Sequence, residues 1–222
     1  MTIVEVWLIR TDLPDPVLAE LEMLLDDTER ERADALLYPA RRSRFIASHG
    51  AVRVILGRRL GLPPASLRWR RGPHGKPELA GPGPHVSLSR SGDLAALAVT
   101  HGRPVGVDIQ RLPTGLDVSR MAARFYPLQE AEFVSSVSGT ARQVDRFTRL
   151  WTRKEACLKV SGGRLVPGLA QVVLQTGIVV GRGETSPGPC LLRDLRVPRG
   201  FRAAVAAEGT RPYRVTRHTA YL

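Results

Sequence analysis

Lysine is the scarcest charged residue in this chain of 222 residues: of 33 basic side chains only Lys76, Lys154 and Lys159 are lysines, and the rest are arginines. In so biased a composition each remaining lysine is a candidate for a task that suits a compact, rotatable ammonium better than a guanidinium. Cysteine is nearly absent. Cys157 and Cys190 are too few and too far apart in sequence for a zinc cage or a disulfide framework, so both read as packing residues of a reducing compartment. Long apolar runs are missing too. Ile3 to Ile9 and Val172 to Val180 are the longest mostly apolar stretches, far short of a bilayer span, and no basic segment followed by an apolar one opens the chain. The expectation is a cytoplasmic protein without a membrane partner. Aromatic residues make up only 5% and are not interleaved with basic ones, which argues against a nucleic-acid-binding surface.

What the chain does have is positive charge. A formal net charge of +12 attracts polyanions and acidic proteins over a Debye length or more, without saying which. The length suffices for one substantial core or two half-sized ones packed together.

Ile3 to Ile9 alternates as a strand, Thr28 to Glu31 reads as a capping box, and Ala40 to Leu60 has helical periodicity, with an outer face that carries Arg41, Arg42, Arg44, Arg53, Arg58 and Arg59 and is either simply solvated or an anion-facing wall. After a Gly- and Pro-rich stretch from Gly72 to Pro84, strands are expected at His85 to Arg90, Leu94 to Thr100 and Val105 to Ile109. Helices follow at Val118 to Phe125, Leu128 to Val137 and Thr140 to Val160, with Thr140 as N-cap and Gly162 just past the end. Further strands are expected at Gln171 to Gln175, Cys190 to Val197, Phe201 to Ala207 and Tyr213 to Arg217.

There is also an internal echo. Ala95 to Ala98 is matched by Ala203 to Ala206, Arg44-Phe45 by Arg146-Phe147, and the Leu62 to Pro64 segment by Leu165 to Pro167. Shared order at similar offsets predicts an α+β protein of two similar halves, residues 1–103 and 104–222, with a ligand cleft between them.

Two segments supply carboxylates. Gly106-Val-Asp108-Ile-Gln110 places a carboxylate and an amide on one side of a strand end, and in Trp151-Thr-Arg-Lys154-Glu155-Ala-Cys-Leu-Lys159 the last Lys lies one helical turn beyond Glu155. Asp108 and Glu155 are a candidate pair for a hard cation such as Mg²⁺, which takes one or two carboxylates and fills its other positions with water and phosphate oxygens. A surface Asp and an ordinary helical ion pair are the alternative. A third segment joins the turn Gly75-Lys76-Pro77 to the hydroxyl-rich strand end Ser89-Arg90-Ser91, which suits phosphate as well as simple turn chemistry.

In this order the segments resemble the surfactin-synthetase type of 4′-phosphopantetheinyl transferase from about Arg41 to Gly163. The family's Gly-Lys-Pro turn is matched by Gly75 to Pro77, its Gly-Val-Asp-Ile-Glu strand by Gly106 to Gln110, and its Trp-x-x-Lys-Glu-Ala-x-x-Lys helix in full by Trp151 to Lys159. Two positions depart: Arg90 stands where the family's Ser-His-Ser has His, and Gln110 stands where a third carboxylate is usual.

The resemblance implies a pseudo-twofold α+β monomer with coenzyme A in the cleft between halves and an acidic acyl or peptidyl carrier protein as partner. Lys76, Ser89 and Arg90, together with Arg44 and Lys159, would bind coenzyme A. Asp108 and Glu155 would hold Mg²⁺, with Gln110 as a weaker third ligand. Glu155, Lys159 and Asp108 would be catalytic, Glu155 as base for the acceptor hydroxyl and Lys159 at the phosphate that breaks. The carrier would dock near Leu116 to Tyr126, with Met121, Phe125 and Tyr126 as an apolar centre between Arg120 and Arg124. Two other readings use the same residues differently: a basic protein that binds nucleotide or nucleic acid without turnover, and a Mg²⁺-dependent hydrolase of nucleotide diphosphates.

Overall fold

A computed structural model describes residues 1–72, 75–162, 169–180 and 188–220. The chain is α+β, as expected. In order it forms β1 (Thr2–Arg10), α1 (Asp15–Met23), α2 (Asp27–Asp34), α3 (Pro39–Leu60), β2 (Trp69–Arg71), β3 (Pro77–Leu79), β4 (His85–Ser91), β5 (Leu94–Thr100) and β6 (Val105–Arg111). Then come α4 (Val118–Phe125), α5 (Leu128–Ser135), α6 (Thr140–Ser161), β7 (Gly177–Val179), β8 (Cys190–Leu195), β9 (Phe201–Glu208) and β10 (Tyr213–Ala220).

Two four-stranded sheets carry the molecule, with orders β10-β1-β5-β4 and β6-β9-β8-β7, and β2 and β3 form a separate hairpin. The core strands repeat one plan: β1 is antiparallel to β5 and β5 to β4, while β6 is antiparallel to β9 and β9 to β8. The helices repeat as well, since α2 and α5 have 8 residues each and α3 and α6 have 22 each. The last strand crosses over. β10 runs parallel to β1, so the C-terminus closes the first sheet. Among the described residues, no helix is long and apolar enough to cross a membrane.

The two sheets meet edge to edge through side chains. Ser87, Ser89 and Ser91 of β4 accept hydrogen bonds from the backbone N–H groups of Val107, Ile109 and Arg111 at 3.1, 3.3 and 3.0 Å. Strand alternation puts every second residue of β4 on this seam, and from Ser87 to Ser91 each of these is a serine, so the hydroxyls satisfy an edge that has no ladder partner.

Each long helix buries a cation against a carboxylate of the short helix before it. Arg53 of α3, expected on the basic outer face, is instead wholly buried, because it donates to Glu29 of α2 at 2.6 Å and to the carbonyls of Pro64 and Leu67. Lys154 of α6 lies 2.5 Å from Glu130 of α5, both side chains inaccessible, and also donates to the carbonyl of Gln171. Such burial is tolerable only because every charge is paired and hydrogen-bonded.

Several local expectations change. The capping box begins at Asp26, whose carboxylate accepts from Glu29 N at 2.9 Å while Glu29 reaches back to Asp26 N, two residues earlier than Thr28 to Glu31 implied. Helix α6 has Gly139 as N-cap, at φ 93°, with Thr140 as its first residue and no side-chain cap. Its end is as expected, with Gly162 in the left-handed region at φ 76°.

The strand expected at Gln171 to Gln175 does not form. Side chains take its backbone instead: Val173 N donates to Glu130 at 2.6 Å, and Arg153 donates to the carbonyls of Val173 and Leu174. Helix α1 and the β2–β3 hairpin were not expected. The echo over Leu165 to Pro167 lies outside the described residues, whereas Ala95 to Ala98 and Ala203 to Ala206 fall in the corresponding strands β5 and β9.

Candidate active site

Gly106 explains how α6 comes to lie on β6. A Cβ there would stand 2.1 Å from the carbonyl oxygen of Ala156 and 2.7 Å from the backbone nitrogen of Val160, so helix and strand touch backbone to backbone. Only glycine permits that approach. Asp108, two residues along the strand, is thereby brought under the face of α6 that carries Glu155 and Lys159.

Asp108 is 4% exposed. Its Oδ1 accepts from Ser89 Oγ at 2.6 Å and from Lys159 Nζ at 2.6 Å, and Lys159 also donates to Ser89 Oγ at 3.0 Å. Its Oδ2 has no partner among the described residues. Leaving a buried carboxylate oxygen unpaired costs free energy, so it marks a place built for something else. Burial pushes the Asp108 carboxyl above the usual range, against the pull of Lys159 and Ser89. Glu155 is pushed up by burial and then by Asp108, with Lys159 opposing. The two carboxyls are thus close enough to feel each other's charge, with an ammonium at hand.

The donor set suits a hard divalent cation: Glu155 lines a cleft, and Asp108, buried behind it, keeps one carboxylate oxygen free. Among the described residues no group of three or more His, Cys, Asp or Glu side chains is placed to hold a metal ion, so a cation here would depend on ligand oxygens and water. Gln110 is half-buried on β6 opposite Arg202 and makes no side-chain hydrogen bond among the described residues.

Glu155 and Lys159 open onto a cleft of about 680 Å³. From the first half its wall includes Arg32, His49, Arg70, Arg71, Lys76 and Arg90. The basic character is real but partly answered, because Asp26 and Glu29 line it as well. His49 stacks on Phe45 with centroids 4.0 Å apart and meets Glu29 at 3.1 Å, and burial lowers its pKa. Arg32 and Arg90 lie 5.3 and 4.9 Å from the centroid of the same Phe45 ring. Burial lowers the pKa of Arg90, and the charge of Arg32 adds to it. Two guanidiniums gathered at one ring favour an anion between them.

The expected site residues separate into three groups. Asp108, Ser89, Glu155 and Lys159 are brought together, although Ser89 faces the carboxylate rather than the cleft. Arg90 and Lys76 line the cleft, but Lys76 Nζ donates to the carbonyls of Val105 at 2.8 Å and Val160 at 3.0 Å. Arg44 is not on the cleft wall; its charge acts on Asp12. Lys154 is core, and Trp151 packs there, stacked on Phe147 at 6.1 Å.

The expected docking surface needs correction. Tyr126 is buried, its hydroxyl donating to the carbonyl of Phe147, and Met121 packs against the core. Phe125 stays out, 37% exposed under Arg124, with Leu116 and Leu128 exposed nearby in sequence. The two cysteines, distant in sequence, meet with sulfurs 3.3 Å apart in the core.

Arg32, His49, Arg70 and Arg71 escaped the sequence reading. Nothing in a chain so rich in arginine distinguishes them before the fold turns them to one side.

Comparison with known proteins agrees with this geometry. Residues 104–180 match the model of the 4′-phosphopantetheinyl transferase superfamily. The chain is 33% identical over 210 residues to the 4′-phosphopantetheinyl transferase HetI of Nostoc, covering 93% of this chain and 88% of that one. It is 32% identical over 172 residues to a putative 4′-phosphopantetheinyl transferase of Synechocystis, covering 76% and 69%. To the 4′-phosphopantetheinyl transferase Sfp of Bacillus subtilis it is 27% identical over 200 residues, covering 82% and 87%. At the identity and coverage it shares with HetI, the chain belongs to the 4′-phosphopantetheinyl transferase family.

Proposed function

We propose that this transferase moves the phosphopantetheine arm of coenzyme A to a serine hydroxyl of an acidic acyl or peptidyl carrier protein, releasing adenosine 3′,5′-bisphosphate. It would act in the cytoplasm as a pseudo-twofold monomer of the surfactin-synthetase type, with halves 1–103 and 104–222 and β10 crossing between them. The observation that carries this reading is the joint between Asp108, Lys159 and Glu155 at the edge of a basic cleft.

In the reaction a bond forms between the serine oxygen and the β-phosphorus of coenzyme A, and the bond from that phosphorus to the adenosine 5′-phosphate breaks. Asp108, through its unpartnered Oδ2, and Glu155 would hold Mg²⁺, which when bound neutralises diphosphate charge. Gln110 offers a neutral oxygen at most. Glu155 takes the hydroxyl proton directly or through water; burial and Asp108 raise its carboxyl, and a bound cation would oppose that shift. Lys159, steadied by Asp108 and Ser89, presents positive charge to the oxygen that gains charge as the phosphate leaves. Arg90, with Arg32 and His49 beside it, suits the phosphates at the adenosine end. Arg44 is set aside from that role.

Phe125, with Leu116 and Leu128, offers the carrier an apolar contact ringed by Arg120 and Arg124, which suits an acidic partner. The decisive experiment combines purified protein, coenzyme A, Mg²⁺ and an apo-carrier, read by mass spectrometry of the carrier. Gain of the phosphopantetheine mass is expected. Hydrolysis of coenzyme A with the carrier unchanged would establish a hydrolase, and tight, salt-sensitive binding without turnover would establish a binding protein.

A further inference from the structure

Lys76 has no carboxylate partner within ion-pair distance among the described residues, yet its ammonium is engaged. It projects from the turn joining β2 to β3, which is closed by hydrogen bonds from Gly72 N to Lys76 O at 2.8 Å and from Gly75 N to Gly72 O at 3.0 Å. From there Nζ spans two elements of the other half, donating to Val105 O on β6 at 2.8 Å and to Val160 O on α6 at 3.0 Å.

Val160 belongs to the last turn of α6, where the final four carbonyls have no partner within the helix. Gly162 N returns to Leu158 O, and among the described residues the donor that meets Val160 O is Lys76 Nζ. A donor on a cationic side chain suits a helix C-terminus twice over, by hydrogen bonding and by the sign of the helix dipole. Lys159, the basic residue native to that turn, has its ammonium committed to Asp108 and Ser89. The cap is supplied across 84 residues instead.

Its position decides what the cap does. Val105 precedes Gly106, where β6 and α6 touch, and Val160 follows Lys159. One ammonium therefore ties the strand carrying Asp108 to the helix carrying Glu155 and Lys159, right beside their point of contact. We propose that Lys76 is a positioning residue: it caps α6 from the first half and fixes the helix against β6, so that the catalytic side chains keep their spacing. This rests on the transferase reading and differs from it in what Lys76 contributes, which is geometry rather than affinity for coenzyme A. Because two N–H groups suffice for the two carbonyls, the tie survives deprotonation of the amine, whose pKa burial lowers to about 8.

The test compares wild type with Lys76→Met in transfer to an apo-carrier and in amide hydrogen exchange. Small misplacement of catalytic groups is costly, so kcat should fall by about tenfold or more while KM for coenzyme A changes less than about threefold. Amides of the last turn of α6 should exchange at least about threefold faster, with those of α3 unchanged. A tenfold rise in KM with kcat intact, or unchanged exchange at the end of α6, overturns the proposal. If Lys76→Met does not fold, Lys76→Arg decides: a positioning role predicts reduced kcat at wild-type KM, because a planar head fits the two carbonyls less well, whereas a phosphate ligand predicts wild-type kcat. Absence of transfer by wild type would sink the transferase reading, and the exchange measurement would still report on the cap.

Discussion

The region built on α2 and α3 and the region built on α5 and α6, the two halves of the proposed division, use one frame for different ends. In the first, α2 and α3 bury Glu29 against Arg53; in the second, α5 and α6 bury Glu130 against Lys154. Both pairs have the same sequence separation, and both long helices end on a left-handed glycine, Gly61 or Gly162. The surroundings differ. Glu29 also meets His49 on the cleft wall, and His49 and Arg53 together hold its carboxyl below the usual range although burial acts upward. Glu130 faces only core, and its second oxygen orders the backbone at Val173. The frame thus explains stability in both halves, while chemistry follows from what each half adds at the cleft: guanidiniums from the first, carboxylates and an ammonium from the second.

The largest expected effect would break this division of labour. Asp108→Ala or Glu155→Ala should leave a folded protein with kcat lowered about a thousandfold or more, whereas Arg90→Ala should mainly raise KM for coenzyme A, by about tenfold. Steady-state kinetics at saturating Mg²⁺ separates the two. Wild-type turnover by Asp108→Ala, or loss of kcat alone in Arg90→Ala, would show that the halves do not divide binding from chemistry as described.

The second prediction concerns the frame itself. Removing one member of a buried pair strands the other, so Lys154→Met should cost about 3–5 kcal/mol of stability. The double change Glu130→Leu with Lys154→Met should recover most of that, since well-packed apolar side chains often replace a buried pair at little cost. Urea unfolding of the two proteins measures the difference. A single change costing under about 1 kcal/mol would mean that water reaches the pair.

How much of this was legible in the sequence follows from the range of the interactions. Asp108, Glu155 and Lys159 could be picked out because each sits in a short segment that resembles a family motif; spacing alone left a surface Asp and an ordinary helical ion pair as the alternative. Gly106 was visible as part of the same segment, although its reason, the approach of Ala156, needed the fold. Glu130 gave no signal, because its partners Lys154 and Val173 lie 24 and 43 residues away. The false strand at Gln171 to Gln175 has the same cause: the short apolar run Val172 to Leu174 suggested a ladder, but Arg153 and Glu130 had taken its backbone groups. The echo was detectable in the strands, where alanine runs recur, and in the long helices at Arg44-Phe45 and Arg146-Phe147, but not at the buried pairs, where Arg53 and Lys154 share charge and not identity.

The smallest expected effect sharpens the comparison at Gln110, the position where a third carboxylate is usual in the family. The amide lies two residues from Asp108 on the same side of β6, so a carboxylate there would add charge to the cation site without a change of backbone. It would also face Arg202, its partner across the ladder to β9. Arg202 is already committed, to Asp145 of α6 and to the carbonyl of Phe201, which limits how far it can draw a new carboxylate away. Cation affinity in oxygen sites depends on the number of charged ligands. Gln110→Glu should therefore lower the Mg²⁺ concentration for half-maximal rate by about threefold and keep kcat within about twofold of wild type. Magnesium titration of the transfer rate reads both quantities. Complete inactivation would mean that the neutral amide itself serves the reaction. An unchanged Mg²⁺ requirement would mean that the site is complete with Asp108 and Glu155, and that the second half needs two carboxylates where the family commonly has three.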